Sequence, residues 1–208
     1  MCRTRKITNQ FTKPESNKYG VKIVKSMNRY HQPLHEFARQ YLNIPSYKSI
    51  LDIGCGGGKN IFDMAQQNKE ATLYGIDHSE ESIRQATELN AIALKDGRIH
   101  LEQTNIFNAT IIPTQIDLVT AFETIYFWDD IVKNFKKIHD ILSPQGVLCI
   151  AQECGSLKYA KKLERKVKNL KIYTPADVEE KLKEAGFAKI EINLQDNKME
   201  GFTVRAYK

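Results

Sequence analysis

The sequence lacks any apolar run long enough to cross a bilayer. No stretch of about 18 consecutive apolar residues occurs in the 208-residue chain, so we expect no membrane span. The N-terminus carries charges without a following apolar segment, which is not the pattern of a secretory signal. These absences favour a cytoplasmic protein.

Cysteine is scarce as well. Cys2, Cys55, Cys149 and Cys154 show neither the spacing of a zinc site nor a framework for disulfides. Cys55 lies in a glycine-rich stretch and Cys149 in an apolar one. We interpret all four as reduced thiols, in keeping with a cytoplasmic location.

Acidic residues are nearly absent from the first 30 positions. Eight basic residues and one acid, Glu15, give this segment a net charge of +7, whereas the whole chain carries +6. A second basic cluster lies at helical spacing: Lys158, Lys161, Lys162, Arg165, Lys166, Lys168 and Lys171. Such clusters can contact phosphates, but we favour a solvated tail and a solvated helix face.

Four glycines within five residues dominate the segment from Ser49 to Asn60. An apolar run precedes them and an amphipathic segment follows, which predicts a buried strand, a tight turn and a helix. Glycine permits positive φ and lets a ligand approach the backbone closely, and a helix N-terminus offers free N–H groups. We therefore expect a ligand loop at the carboxyl edge of a parallel sheet.

Two familiar nucleotide loops do not fit this segment. A P-loop needs a glycine five positions before Gly58 and a serine or threonine after Lys59, but Ile53 and Asn60 stand there. A dinucleotide loop counted from Gly54 needs a third glycine where Lys59 stands. A glycine turn without a ligand is the structural alternative.

Hydrophobic periodicity predicts one α/β domain, residues 46–208, preceded by a basic arm and helical lid, residues 1–45. Residues 1–20 form a loose arm, and one or two helices with a break near Pro33 follow to Leu42. The predicted strands are 47–53, 71–76, 98–103, 116–122, 147–152, 189–194 and 201–207. The predicted helices are 59–68, 79–95, 129–142, 155–170 and 175–185, with a turn at 143–146.

Chemically useful residues follow two of these strands. Asp77 stands 23 residues after Gly54, one helix and one strand later, where nucleoside-binding α/β folds place an acid that accepts hydrogen bonds from the ribose. Ser79 is the expected N-cap of the next helix. After the fourth strand, Glu123 is followed by Tyr126, Phe127 and Trp128, which predicts a reaction chamber.

The motifs resemble, in order, those of the class I S-adenosylmethionine-dependent methyltransferases. They are Asp52-x-Gly54-x-Gly56-x-Gly58, Asp77, the loop at Asn105, the Glu123 region and Leu142-x-Pro144-x-Gly146. The resemblance covers roughly residues 47–208 and is greatest to the small-molecule, ubiquinone-biosynthesis-like branch. It implies a doubly wound, Rossmann-like sheet of seven strands with the last strand antiparallel.

The resemblance also implies a cofactor, S-adenosylmethionine, with S-adenosylhomocysteine as its product. Gly54 and Gly56 would lie against its methionine part, and Asp52 would orient the loop or reach the amino group through water. Asp77 would hold the ribose. The remaining cofactor-binding residues implied are Asn105 and Ile106 at adenine, Ala121 and Glu123 at the methionine amine, and Tyr30, Cys55 and His78. Asn105 stands where the family usually carries an acid.

Methyl transfer of this kind depends mainly on positioning, and a base is useful only if the acceptor must lose a proton. Our catalytic candidates are Glu123, His31 and Tyr126, with His35 as a further candidate base. The chamber wall would comprise Tyr30, His31, Glu123, Tyr126 and Trp128. We predict no metal site at His31 and His35.

The acceptor is left open by the sequence. Phe122-Glu123-Thr124-Ile125 replaces the Asp/Asn-Pro-Pro-Tyr/Phe motif of adenine-N6 and glutamine methyltransferases, which argues against those substrates. An aromatic chamber favours a small-molecule acceptor. The alternatives are an RNA methyltransferase that uses the basic arm and a non-catalytic S-adenosylmethionine-binding subunit. We expect a monomer or homodimer.

Overall fold

A seven-stranded sheet forms the centre of the computed structural model, which describes residues 11–165, 167 and 170–208. The strand order is β3-β2-β1-β4-β5-β7-β6. The strands are β1 Ser49–Ile53, β2 Thr72–Asp77, β3 Ile99–Gln103, β4 Ile116–Phe122, β5 Leu142–Gln152, β6 Lys189–Leu194 and β7 Phe202–Tyr207. Strands β1 to β5 pair in parallel, and β7 is antiparallel to both neighbours. The predicted doubly wound sheet with an antiparallel last strand is confirmed.

Helices cover both faces of this sheet. They are α1 Lys18–Tyr30, α2 Gln32–Arg39, α3 Lys59–Gln67, α4 Glu80–Leu89, α5 Ala91–Lys95, α6 Ile131–Ile141, α7 Leu157–Glu164 and α8 Pro175–Glu184, with 3₁₀ turns at Ile44–Ser46 and Ile125–Phe127. No helix in the described part of the chain is long and apolar enough to cross a membrane.

Strand β1 divides the core into two layers because successive side chains of a strand point to opposite faces. Ile50 packs into the layer that contains α2 and α3, with Leu34 and Met64. Leu51 packs into the layer that contains α6 and α8, with Phe135 and Leu182. The adjacent apolar residues Ile50 and Leu51 are therefore explained by burial of β1 on both faces.

The site is positioned by the reversal of strand order at β1. Strand β2 pairs with one side of β1 and β4 with the other, for example Ile50 with Leu73 and with Leu118. The connections that lead to β2 and to β4 therefore run on opposite sides of β1. A crevice opens between them at the carboxyl ends of these strands, which is where open α/β sheets bind ligands.

The N-terminal helices pack on the domain, α1 against α4 and α2 against β5. The predicted break near Pro33 is confirmed, since α1 ends at Tyr30 and Pro33 lies in the first turn of α2. The predicted loose arm over residues 1–20 is too long, because α1 already begins at Lys18, with Asn17 accepting from the Tyr19 and Gly20 N–H groups. Residues 1–10 lie outside the described part.

Two helix predictions were too long. The helix expected to run from Ser79 to Lys95 is interrupted at Asn90, whose side-chain amide donates to the Gly58 and Ala86 carbonyls (3.2 and 2.9 Å). Ser79 caps the first part as predicted. The basic helix expected over 155–170 is confined to Leu157–Glu164, and Lys166 and Lys168 lie outside the described residues.

The predicted turn at 143–146 lies inside β5. Ile116 pairs with Leu142 but Leu118 pairs with Val147, so the intervening residues form an irregularity in a continuous strand. A proline in a parallel strand is tolerated at such an irregularity. Likewise β1 begins at Ser49 and not at Tyr47, because the chain first forms the 3₁₀ turn.

Candidate functional site: a cofactor cleft and an adjoining histidine–glutamate cluster

The glycine loop between β1 and α3 adopts a conformation that side chains disfavour. Gly54, Gly56 and Gly58 all have positive φ, at 71°, 54° and 75°. The Gly54 and Cys55 N–H groups donate to the Ile76 carbonyl (2.8 and 3.1 Å), which fixes the loop to the end of β2. The three glycines are therefore required by backbone conformation.

Their surroundings differ. A Cβ added at Gly54 would lie 2.4 Å from Thr124 Oγ1, and one at Gly58 would lie 2.7 Å from the Asn90 amide nitrogen. A Cβ at Gly56 would meet nothing within 4 Å. Gly54 and Gly58 are thus fixed by packing, whereas Gly56 exposes its backbone to open space.

Asp77 lies at the end of β2, opposite this loop. Its Oδ2 accepts the Gly56 N–H (2.9 Å) and its Oδ1 accepts the Ser79 N–H (2.8 Å). Burial raises the pKa of the Asp77 carboxyl, and these N–H donors together with His78 counteract the rise. Each carboxylate oxygen can still accept from a ligand, because it has a further lone pair.

A cleft of about 500 Å³ opens beside the loop. It brings together the predicted Gly54, Asp77, His78, Asn105 and Ile106. The other lining residues are Thr12, Ile53, Ile76, Thr104, Phe107, Thr124, Phe127, Trp128, Asp129, Asp130, Lys133 and Asn134. Its size and mixed apolar and polar lining suit a nucleoside-sized ligand.

Asn105 has a structural task that the sequence did not reveal. Its Oδ1 accepts the N–H groups of Phe107 and Asn108 (2.9 and 3.2 Å), which forms an Asx turn after β3. The oxygen expected to accept from adenine is therefore already engaged by backbone. Ile106 is 4% exposed and offers an apolar surface next to it.

Asp52 lies beneath the loop, fully enclosed. Its Oδ1 accepts from the Thr120 hydroxyl (2.6 Å) and from the Asn60 amide (3.2 Å). The Asn60 oxygen in turn accepts from Arg39 of α2 (2.7 Å). Burial raises the pKa of Asp52 to about 6 against the effect of these donors. The structure thus gives Asp52 a role in tying β1 to β4 and, through Asn60, to an N-terminal helix.

A second group of polar side chains meets at the ends of β4 and β5. Glu123 Oε2 accepts from the Tyr126 hydroxyl (2.7 Å), and Glu123 Oε1 accepts the Glu153 N–H (2.5 Å). His31 Nδ1 lies 3.2 Å from Glu153 Oε1 and 3.7 Å from Glu123 Oε2. We call His31, Glu123, Tyr126 and Glu153 the histidine–glutamate cluster.

Strained backbone supports this cluster. Glu123 has φ of 56°, a value that L side chains rarely adopt. Its N–H donates to the Ala151 carbonyl (2.9 Å), so the strained residue is held to β5. Ala121 itself is fully buried in β4, so it can meet a ligand only through backbone.

Opposing effects set the charges of the cluster. Burial alone would lower the pKa of His31, but the hydrogen bond to Glu153 and the charges of Glu123 and Glu153 outweigh it, so the pKa is raised. Burial raises the pKa of Glu123, against the effect of His31. Burial also raises the pKa of Tyr126 well above its usual value, so the phenol keeps its proton.

His35 differs from His31 although the two rings stack, with centroids 6.3 Å apart. Burial lowers the pKa of His35 to about 3, and the charge of His31 adds to the effect. His35 also packs on Phe122 at 5.2 Å, so it is a neutral, weakly basic ring beside the cluster.

The matching family model describes a methyltransferase domain and covers residues 44–200. The chain belongs to this methyltransferase family. Its cofactor is S-adenosylmethionine, and the glycine loop and Asp77 fit such a ligand: a Cβ at Gly56 would project into open space, and Asp77 keeps free lone pairs.

Named relatives of this methyltransferase are distant. It is 28% identical over 170 residues to the uncharacterized methyltransferase YdaC of Bacillus subtilis, covering 82% of this chain and 88% of YdaC. It is 30% identical over 117 residues to a ubiquinone biosynthesis O-methyltransferase of Haemophilus ducreyi, covering 53% of this chain and 48% of that enzyme. The chain likewise spans less than two thirds of six further curated relatives.

The fold also occurs in solved structures. A SAM-dependent methyltransferase from Aquifex aeolicus superimposes with a TM-score of 0.72 at 16% identity, covering 90% of this chain and 97% of that one. At this level of identity the likeness establishes the fold alone.

Tyr30 and Cys55, two of the predicted contact residues of the methyltransferase, lie apart from the cleft lining. Tyr30 is 72% exposed at the end of α1, with its ring edge-on to His31. Cys55 is buried, and burial raises the pKa of its thiol well above the usual value, so it is unreactive. Trp128 lines the cleft but also packs edge-on against Phe135.

Glu153 and Arg39 were missed by sequence reasoning. Glu153 follows β5 directly, and an acid at the carboxyl end of a parallel strand beside β4 is the signal that could have revealed it. Arg39 carries no comparable signal, because its partners Asn60 and Asp63 lie on α3. A ring nitrogen of His31 and one carboxylate oxygen each of Glu123 and Glu153 lie within 4.8 Å of one another. The sequence around His31 and His35 did not indicate this grouping.

Proposed function

We propose that this methyltransferase methylates a small-molecule acceptor held between the cofactor cleft and the histidine–glutamate cluster. The observation that carries the proposal is the position of Glu123 and Thr124. Thr124 packs against Gly54 of the cofactor loop, while the preceding Glu123 belongs to the cluster. An acceptor at the cluster would therefore lie next to the cofactor's reactive end.

Cofactor binding is assigned to residues at the ends of β1, β2 and β3. Asp77 would accept from the ribose hydroxyls, since both of its oxygens are oriented by backbone N–H groups and retain a lone pair. The exposed backbone at Gly56 would lie against the methionine part, and Ile106 against adenine. The bound cofactor supplies an activated methyl group on a sulfonium and a neutral leaving group.

Several features support a small acceptor over RNA. Tyr126 is only 8% exposed and His31 is partly buried, so the cluster presents little surface to a polymer such as RNA. Enclosed aromatic sites suit small ligands, and the relative from Haemophilus ducreyi is named for an O-methylation in ubiquinone biosynthesis. The alternative of an RNA acceptor depends instead on the positive charge of lysines exposed on α7, such as Lys158 and Lys161.

Two further proposals concern the domain boundaries and the cellular location. We place the arm and lid at residues 1–45 and the methyltransferase domain at 46–208, supported by the family match, which starts at residue 44. A cytoplasmic location is supported by Cys55, Cys149 and Cys154, which are free thiols.

A methyl-transfer assay with isotopically labelled S-adenosylmethionine tests the acceptor class. The panel contains phenols, catechols, sugars and amines on one side and total RNA on the other, at low and high salt. We expect methylation of a small molecule with little salt dependence. Methylation of RNA alone, with a steep loss of affinity as salt rises, would contradict the proposal because phosphate contacts have that signature.

A further inference from the structure

His31 occupies the junction of the two N-terminal helices. It follows the last residue of α1, and its N–H closes that helix on the Met27 carbonyl (3.0 Å). One turn earlier, Asn28 donates to the Gly57 carbonyl of the cofactor loop (3.2 Å). The end of α1 is therefore held to the loop by Asn28, while the His31 ring meets the ends of β4 and β5.

The two carboxylates near His31 are not equivalent. Glu123 accepts from the Tyr126 hydroxyl and from the Glu153 N–H, and its Oε2 lies 3.7 Å from His31 Nδ1, beyond hydrogen-bonding distance. Glu153 Oε1 has His31 Nδ1 as its hydrogen-bond partner at 3.2 Å, closer than the 3.7 Å to Glu123. The Glu153 carboxylate is therefore the acceptor that fixes Nδ1–H on the imidazole. The lone pair of the neutral ring then resides on Nε2.

We propose that Glu153 is the positioning residue for His31, and that His31 Nε2 is the base that accepts the proton of an acceptor hydroxyl. This inference rests on the proposed function. The acceptor oxygen forms a bond to the methyl carbon while the carbon–sulfur bond breaks and its electron pair stays on sulfur. The hydroxyl proton passes to Nε2. Acceptors without an ionisable proton at the reacting atom would not need this pair.

Other charged groups around His31 do not replace Glu153. Glu123 raises the pKa of His31 through its charge, but its Oε2 lies 3.7 Å from His31 Nδ1, too far for a hydrogen bond. His35, stacked on the ring from α2, has its pKa lowered to about 3 and stays neutral. Tyr126 keeps its proton and donates a hydrogen bond to Glu123.

The first test measures the pKa of His31 by histidine-selective NMR, which needs neither cofactor nor acceptor. In the wild type we expect a value above 6.5, and in Glu153→Gln a fall of about one unit or more. Glu153→Asp should give an intermediate value because it keeps the carboxylate but shortens its reach. Glu191→Gln is the control, since Glu191 accepts from Tyr207 and pairs with Arg205 on the far strands β6 and β7. An unchanged His31 pKa in a folded Glu153→Gln would overturn the proposal.

The second test uses an acceptor found in the panel. Glu153→Gln and His31→Gln should lower kcat about 100-fold, the usual contribution of a general base, with cofactor affinity within twofold of wild type. Because the base must be neutral, kcat should rise with pH through the His31 pKa, and Glu153→Gln should move this limb to lower pH. A kcat loss without that displacement would assign Glu153 a merely structural role. Failure to find any acceptor would count against the proposed function while the NMR result still decides the pairing.

Discussion

Three glycines share a positive φ but differ in their surroundings, so alanine substitutions at them should differ in their effects on stability and binding. Gly54, Gly56 and Gly97 have φ of 71°, 54° and 72°. Replacing any of them by alanine should cost about 1–2 kcal/mol, the penalty of a left-handed conformation for an L residue. Only at Gly54 does the new methyl group collide, at 2.4 Å from Thr124 Oγ1. Overpacking there should add about 1–3 kcal/mol.

Binding should separate the other two variants. The added methyl groups of Gly56→Ala and Gly97→Ala both meet nothing within 4 Å. Gly97 precedes β3, at the amino end of a strand whose carboxyl end faces the cleft, so Gly97→Ala should bind S-adenosylmethionine like the wild type. Gly56→Ala places its methyl group where we expect the cofactor and should bind at least about tenfold more weakly.

Urea unfolding and calorimetric titration on the same protein samples measure both effects. The predicted order of stability is wild type above Gly56→Ala and Gly97→Ala, which should be similar, and Gly54→Ala lowest. Equal cofactor affinity in Gly56→Ala and Gly97→Ala would refute the assignment of Gly56 to the cofactor surface. Equal stability of all three variants would refute the packing argument at Gly54.

Three further predictions concern stability. The folded-state pKa of Asp52, about 6, lies above its usual value of 3.8. The free energy of unfolding should therefore fall as pH rises from about 4 to 6. Asp52→Asn should remove this pH-dependent component, which amounts to up to about 3 kcal/mol, in urea titrations across pH. Thr174→Ala breaks the capping box with Asp177 and should cost about 1 kcal/mol, or roughly 2–4 °C in melting temperature, whereas no change would show that the cap is dispensable. Phe135→Ala empties a fully buried site and should cost about 3–5 kcal/mol in chemical unfolding; a loss below about 1 kcal/mol would contradict the assigned core.

The parts of the fold that follow from local pattern were predictable. The fourth strand was predicted at its observed bounds, Ile116–Phe122, because seven mostly apolar residues stand between polar segments. Thr174, Pro175 and Asp177 form the predicted helix start through contacts within three residues. The loop glycines and Asp77 were found by their spacing along the chain, since one crossover determines which strand ends are neighbours.

The parts that depend on distant contacts were not predictable. Glu153 meets His31 across 122 positions, and nothing near either residue in the sequence identifies the other. Asn105 was assigned to adenine because of its position, but its oxygen is engaged by two N–H groups of its own turn. The irregularity in β5 arises from pairing with β4, which a turn-like sequence cannot reveal.

The most direct test of the account is calorimetric titration of S-adenosylmethionine into the wild type, Asp77→Ala and Asp117→Ala. Asp117 is a matched control: its carboxylate also accepts two backbone N–H groups, those of Lys48 and Ser49, but at the opposite end of the sheet. We predict binding to the wild type and Asp117→Ala, and a loss of about 100-fold in Asp77→Ala, the value of one or two hydrogen bonds to a charged group. Equal affinity in Asp77→Ala and Asp117→Ala, or no binding to a folded wild type, would contradict the assignment of this cleft to the cofactor.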